Sequence, residues 1–250
     1  MSGHSKFANI KHKKARNDAQ KGKIFTKLGR ELAVAVKTGG GADPSLNRKL
    51  ADVIAKAKAS NMPNDTIDRS IKKAAGDNDG ANYEAIVYEG YGPEGIAVIV
   101  ECLTDNKNRT AANVRSAFTR GKGNLGTSGS VTFMFDKKGQ IIIEKSSKVS
   151  EDELMMLALD SGAEDFSAAD DGYEIITDPE TFSEVNDALL AAGYQPISAE
   201  VTQLPQTTTD LTDADSIKAM NRLLDMLEDD DDVQNVYHNW GNQDEEEDRR

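Results

Sequence analysis

The apolar residues of this chain first leave the helical period at Gly76-Asp77-Asn78-Asp79-Gly80, and that change limits the fold more than any other feature. Before it the spacing is helical. Phe25, Leu28, Leu32 and Val36 fall at i, i+3, i+7 and i+11, which predicts an amphipathic helix ended by Gly39-Gly40-Gly41. Asp43 followed by Pro44 has the form of an N-cap and first helical residue. A second helix is expected there, with Leu46, Leu50, Val53, Ile54 and Ala57 on one stripe and Lys49, Lys56 and Lys58 largely off it. A third short helix after Pro63 turns Ile67 and Ile71 inward and Arg69, Lys72 and Lys73 outward.

Beyond the small, polar linker the period falls to that of strands. Strands are expected at 83–91 and 96–103, a helix at 109–120 and a strand from Ser130 to Phe135. Then follow strand 140–144, helix 151–162, strand 164–167, strand 173–177, helix 180–192 and strand 197–202, a complete β-α-β-β-α-β unit of the ferredoxin-like kind. A strand near 201–207, helix 213–228 and strand 233–238 complete a second such unit with the earlier pieces. The fold class expected is α+β: a three-helix domain, then two ferredoxin-like domains, one inserted in the other. One continuous larger sheet is the competing topology. The expected divisions are a basic arm at 1–24, a helical domain at 25–76, a ferredoxin-like domain at 77–136 plus 203–240, an inserted one at 137–202, and an acidic tail at 241–250.

Charge divides along the same boundary. The 250 residues carry a net −13, but residues 1–75 hold 17 Lys and Arg against 6 Asp and Glu, a net of +11, and the remainder carries −24. Such asymmetry suggests that one end meets a polyanion while the rest repels it. The first 30 residues have nine basic side chains against Asp18 alone. Residues 2–24 offer only Phe7, Ile10 and Ile24 as sizeable apolar groups, too few to order the segment without a partner. No apolar run nears the roughly 18 residues of a membrane span, and a single cysteine, Cys102, excludes a disulfide framework. A cytoplasmic protein is expected.

Several segments resemble the YebC family, which includes bacterial transcriptional regulators and the mitochondrial translational activator of cytochrome oxidase subunit I. Gly3-His4-Ser5-Lys6-Phe7-Ala8-Asn9-Ile10-Lys11-His12-Lys13 and Lys21-Gly22-Lys23-Ile24-Phe25-Thr26-Lys27 are similar to its N-terminal signature. Asn61-Met62-Pro63, Tyr88-Glu89-Gly90-Tyr91-Gly92-Pro93, Val100-Glu101-Cys102-Leu103-Thr104-Asp105-Asn106, Gly123-Asn124-Leu125-Gly126, Pro205-Gln206-Thr207 and Val233-Gln234-Asn235-Val236-Tyr237-His238-Asn239 carry the resemblance onward. Phe7 departs from it, standing where the family usually has Trp. The resemblance implies one helical and two α/β domains, association with nucleic acid or the ribosome, and no known catalytic activity.

The residues themselves favour binding over catalysis. Cys102 lies in an apolar strand and reads as a small buried side chain. His4 and His12 sit in a segment too polar to hold them rigidly, and His238 follows the last strand. Asp229 to Asp232 reads as a solvated acidic run. Gly121-Lys122-Gly123-Asn124-Leu125-Gly126 lacks the Gly-Lys-Ser/Thr order and the following helix of a phosphate-binding loop. No cofactor, metal, membrane or small-molecule substrate is expected.

Lys6, Lys11, Lys13, Lys14, Arg16, Lys21, Lys23, Lys27 and Arg30 can each neutralise a phosphate and release counterions. Phe7 can stack on an unpaired base or pack on the first helix, and His4, Asn9 and His12 can bond to base edges or 2′-hydroxyls. Arg115, Arg120 and Lys122 offer an auxiliary phosphate contact. The expected partner is nucleic acid: promoter DNA for a transcriptional regulator, or ribosomal RNA, and with it the ribosome, for a translation factor assisting elongation of difficult peptides.

Overall fold

The structure is a computed structural model that describes residues 21–76, 82–146 and 149–243. The linker at 77–80, the arm before residue 21 and the acidic tail from 244 therefore lie outside the described residues. Helices α1 (Lys21–Thr38), α2 (Arg48–Ala59) and α3 (Asn64–Gly76) come first. Their core is Leu28, Leu32, Ala35 and Val36 of α1, Leu50 and Ala57 of α2, Met62, and Ile67 of α3. This is the face that the helical spacing marks, and burying each large aliphatic side chain is worth about 1.5–3 kcal/mol.

The start of α2 differs from the sequence expectation. Asp43 does not cap the helix; its Oδ1 accepts from the Ser45 N–H at 2.9 Å and the Ser45 hydroxyl at 2.7 Å, closing a turn. Leu46 consequently points to solvent with 82% exposure, although its spacing fits the apolar stripe. The cap is Asn47, which is fully buried. Its Oδ1 accepts from the Leu50 N–H at 3.0 Å, while its Nδ2 donates to the carbonyls of Ala35 at 2.8 Å and Gly41 at 2.7 Å. One amide thus closes the C-terminus of α1 and opens α2, satisfying end groups of both helices. Gly39 makes room for it: a Cβ there would stand 2.1 Å from Asn47 Oδ1.

The rest of the chain builds two antiparallel sheets. In order come β1 (Glu84–Tyr91), β2 (Ala97–Thr104), α4 (Lys107–Arg120), β3 (Asn124–Leu125), β4 (Phe135–Glu144), α5 (Glu151–Asp160), β5 (Ala163–Ala168), β6 (Gly172–Thr177), α6 (Phe182–Ala191), β7 (Ser198–Pro205), α7 (Ala214–Glu228) and β8 (Val233–His238). The second sheet has strand order β5-β6-β4-β7 and chain order β-α-β-β-α-β, the ferredoxin-like arrangement. Ile141, Ile143, Tyr173 and Ile175 pack there on Leu154 and Ala158 of α5 and Val185 and Leu189 of α6.

The first sheet, β3-β1-β2-β8, occupies the same four places but fills one of them differently. A strand near 201–207 was expected to belong to it. Instead residues 198–205 are a single strand of the second sheet, pairing Phe135 with Pro205 through Ile142 with Ser198. The vacant place is taken by β1, which reaches β2 through the tight Pro93–Gly95 turn without a crossover. The expected strand at Ser130–Phe135 is likewise a 3-10 turn at Thr132–Met134 followed by β4, and only Asn124–Leu125 pair with β1. The second sheet lies in sequence between β3 and α7. Of the described residues, those within Thr132–Leu211 and 239–243 belong to one compact unit, and those within 21–131 and Thr212–His238 to the other.

Replacing Asn47 with Ala should destabilise the helical domain by about 2–4 kcal/mol, because the Leu50 N–H and the Gly41 carbonyl lose this partner and the Ala35 carbonyl keeps only the Gly39 N–H. Asn47→Asp should be no better, since it keeps the cap but sets a carboxylate oxygen against two carbonyls. Denaturant unfolding followed by far-UV circular dichroism reads both.

Candidate nucleic-acid interface

The predicted contact residues fall into three groups. His4, Lys6, Phe7, Asn9, Lys11, His12, Lys13, Lys14 and Arg16 lie outside the described residues. Lys21, Lys23, Lys27 and Arg30 stand on α1, where the last three share one stripe at i, i+4 and i+7. Arg115, Arg120 and Lys122 are exposed on and just after α4.

The α1 stripe is engaged inside the molecule. Lys23 Nζ pairs with Asp229 Oδ1 at 2.5 Å, and Lys27 Nζ donates to the Glu228 carbonyl at 2.9 Å. Arg30 Nη1 reaches Asp232 Oδ1 at 2.5 Å, the Asp231 carbonyl at 2.7 Å and the Leu103 carbonyl at 3.2 Å. Its guanidinium also lies 5.4 Å from the centre of the Tyr83 ring. Apart from the Leu103 carbonyl on β2, these acceptors gather at the C-terminus of α7, which has no basic residue in its own last turn. A helix end already carrying partial negative charge is followed by four aspartates, an unfavourable placement that the α1 cations offset.

Asp229 to Asp232 is therefore not simply a solvated run. Asp232 is buried. Besides Arg30, its carboxylate accepts from Arg109 Nε at 3.0 Å and Nη2 at 2.8 Å, from the Thr110 hydroxyl at 2.8 Å and from the Thr104 hydroxyl at 3.3 Å. Burial pushes the Asp232 carboxyl up, but the bonds from Arg109, Thr110 and Arg30 outweigh it and hold the group below the usual aspartate value. The same contact, followed by Asp105, raises Arg109. Sequence reasoning missed this centre because Asp232 lies 202 residues from Arg30 and 123 from Arg109, with no local pattern linking them.

Other cations of the helical domain remain turned to solvent. Arg48, Lys49, Lys58, Lys72 and Lys73 are exposed and have no ion-pair partner among the described residues. Lys56 is bound to Glu31 at 2.8 Å. Arg69, the residue of α3 best suited to reading a base edge, bends back onto its own helix at Asp65 O and Thr66 Oγ1.

The glycine-rich segment after α4 is a helix stop. Gly123 N–H donates to the Phe118 carbonyl at 2.8 Å and Lys122 N–H to the Thr119 carbonyl at 3.2 Å, the paired bonds of a Schellman motif. Lys122 holds its left-handed position at φ +55°, where the corresponding turns after α5 and α6 have Gly162 and Gly193. An L-residue there costs roughly 1–2 kcal/mol. The loop beyond is fixed by the buried Glu89 carboxylate, which accepts the N–H groups of Gly129 at 2.7 Å and Val131 at 2.9 Å. Arg120 lines a groove of about 320 Å³ between α4 and α7, with Val114 and Leu227 beside it and Asp229 and Asp230 also on its lining.

Cys102 is buried and its thiol is pushed up to about 12, first by burial and then by Asp230 and Asp232. At neutral pH it is a protonated, packed side chain. No group of His, Cys, Asp and Glu suited to a metal ion occurs among the described residues, and no helix among them is long and apolar enough to cross a membrane.

A cation-rich three-helix domain joined to two antiparallel α/β sheets, one lying within the sequence of the other, defines a three-domain α+β protein. The chain belongs to the TACO1/YebC family: residues 5–77 match the TACO1/YebC protein N-terminal domain and residues 83–240 the TACO1/YebC second and third domain. It is 64% identical over 241 residues to a probable transcriptional regulatory protein of Lachnoclostridium phytofermentans, covering 96% of this chain and 99% of the relative. A protein of the same designation from Acetivibrio thermocellus is 67% identical over 240 residues, with the same coverage of each chain. The crystal structure of a conserved hypothetical protein from Aquifex aeolicus superposes with a TM-score of 0.79 at 42% identity, covering 90% of this chain and 92% of that one.

Asp232→Asn should lower stability by about 3 kcal/mol at pH 7, since it leaves Arg30 and Arg109 without their buried counter-charge. The depressed carboxyl contributes stability that is complete above the unfolded-state value of 3.8 and is lost as pH falls through the lower folded value. Wild type should therefore lose its advantage over the variant below about pH 4, as measured by urea unfolding across pH 2–7.

Proposed function

We propose that this chain is a non-enzymatic regulator that binds nucleic acid through its basic N-terminal third and keeps its acidic α/β domains away from the polyanion. The observation that carries this reading is the division of charge, +11 through residue 75 against −24 after it. Lys6, Lys11, Lys13, Lys14, Arg16 and Lys21 are the proposed phosphate contacts, with His4, Phe7, Asn9 and His12 contributing stacking and polar contacts. Lys23 and Lys27 join them conditionally. Arg30, half-buried and paired with the buried Asp232, serves to hold α1 in place.

Lys122 fits the auxiliary contact with Arg115 and Arg120, because a strained lysine in a position suited to glycine points to a use for its charge. The relatives' designation favours a role in transcription, for which DNA is the partner we propose first. A second reading, structured RNA within the ribosome, is supported by Arg69: folded onto its own helix, it leaves α3 without the side chain best placed to read a major groove. The strongly anionic body would also be repelled by a long duplex.

Gel shifts with duplex DNA and with structured RNA across a salt series test the reading. Log affinity should fall linearly with log salt, by about 0.7–0.9 per phosphate neutralised. Replacing Lys11, Lys13 and Lys14 with Glu should remove binding at 150 mM salt. Unchanged binding by that variant would overturn the proposal. Preference for RNA and co-sedimentation with ribosomes, with DNA binding that ignores sequence, would decide for the second reading. Lys122→Gly should stabilise the fold by about 1 kcal/mol while weakening binding.

A further inference from the structure

The stripe Lys23, Lys27 and Arg30 meets a surface that imitates what a nucleic acid would present. A helix-end carbonyl, a carboxylate, a second carbonyl and another carboxylate follow one another at residues 228, 229, 231 and 232 and meet cations set about one helical turn apart on α1. The contacts are not equivalent. Arg30–Asp232 joins a half-buried guanidinium to a buried carboxylate that is bonded further to Arg109, so it is a fixed pin. Lys23–Asp229 is open, with side-chain exposures of 41% and 62%. Among the described residues Lys27 has a backbone carbonyl as its one bonded acceptor, and burial lowers its pKa despite Glu228, Asp231 and Asp230 nearby. Such an open pair is worth at most about 1 kcal/mol, little enough for a phosphate to displace.

We propose that the acidic turn Glu228–Asp232 is an internal competitor for phosphate, masking Lys23 and Lys27 until a polyanion displaces it, while Arg30–Asp232 keeps α1 in place during the exchange. The inference rests on the phosphate-binding reading of the α1 lysines and adds its regulation. The competitor sets a threshold: weak or isolated anions do not dislodge it, whereas a run of phosphates already held by neighbouring cations does. It also makes the intact chain a weaker binder than its cation count alone implies.

The test uses full-length protein with Asp229→Asn, Lys23→Gln, and Glu200→Gln as a control that makes the same change in net charge on an exposed strand residue of the other compact unit. Each is compared for retention on phosphocellulose and for affinity to a structured RNA and a DNA duplex. Asp229→Asn should bind about three- to fivefold more tightly at low salt, as expected for removal of an exposed pair. Its salt dependence should steepen by up to about one counterion. Glu200→Gln should change little, and Lys23→Gln should cancel the gain when combined with Asp229→Asn. Equal effects of the two acid substitutions, or no effect of Asp229→Asn on phosphocellulose, would overturn the competitor. If the phosphocellulose shift occurs but neither nucleic acid binds, the masking stands and the nucleic-acid function fails.

Discussion

A carboxylate removed from water between two guanidinium groups is costly unless both remain, and Asp232 is in that position. Arg30 reaches it from the helical domain and Arg109 from the first turn of α4, while Thr104 and Thr110 complete its shell. Three segments far apart in sequence are thereby tied at one point. The contact also explains why a chain with so many aspartates after α7 tolerates them at a helix C-terminus: the compensating charges come from α1.

The same arrangement changes the meaning of the basic N-terminal region. Counting cations treats all of them as available to a ligand, whereas folding separates them into kinds. Arg30 is structural, Lys23 and Lys27 are held by acceptors of modest strength, and Arg48, Lys49, Lys58, Lys72 and Lys73 face solvent. Specificity for phosphate then depends on what each cation leaves behind when it moves. A polyanion has an advantage over small ions because it can replace several internal acceptors at once.

Much of the architecture was legible in one dimension. The helical stripe of α1 and the inserted β-α-β-β-α-β unit follow from apolar spacing, because a buried face must recur at the period of its element. The place of β1 was not legible. Either β1 or a later strand could occupy that sheet position by pattern alone, and strand partners are chosen by loop length and register. Leu46 shows another limit: its spacing fits the stripe, but Asn47 is needed at the junction, and a capping turn displaces Leu46 outward.

The sequence by itself determined the charge division, the family and the order of helices and strands, since these depend on composition and on contacts within a few residues. Only the tertiary structure decided that Asp232 is buried, that Lys23 and Lys27 rest on the end of α7, and that Lys122 adopts a left-handed turn. The first two depend on residues more than a hundred positions apart meeting in a medium where charge cannot be left unpaired. The third depends on backbone geometry at a helix end, which a lysine in the sequence does not announce.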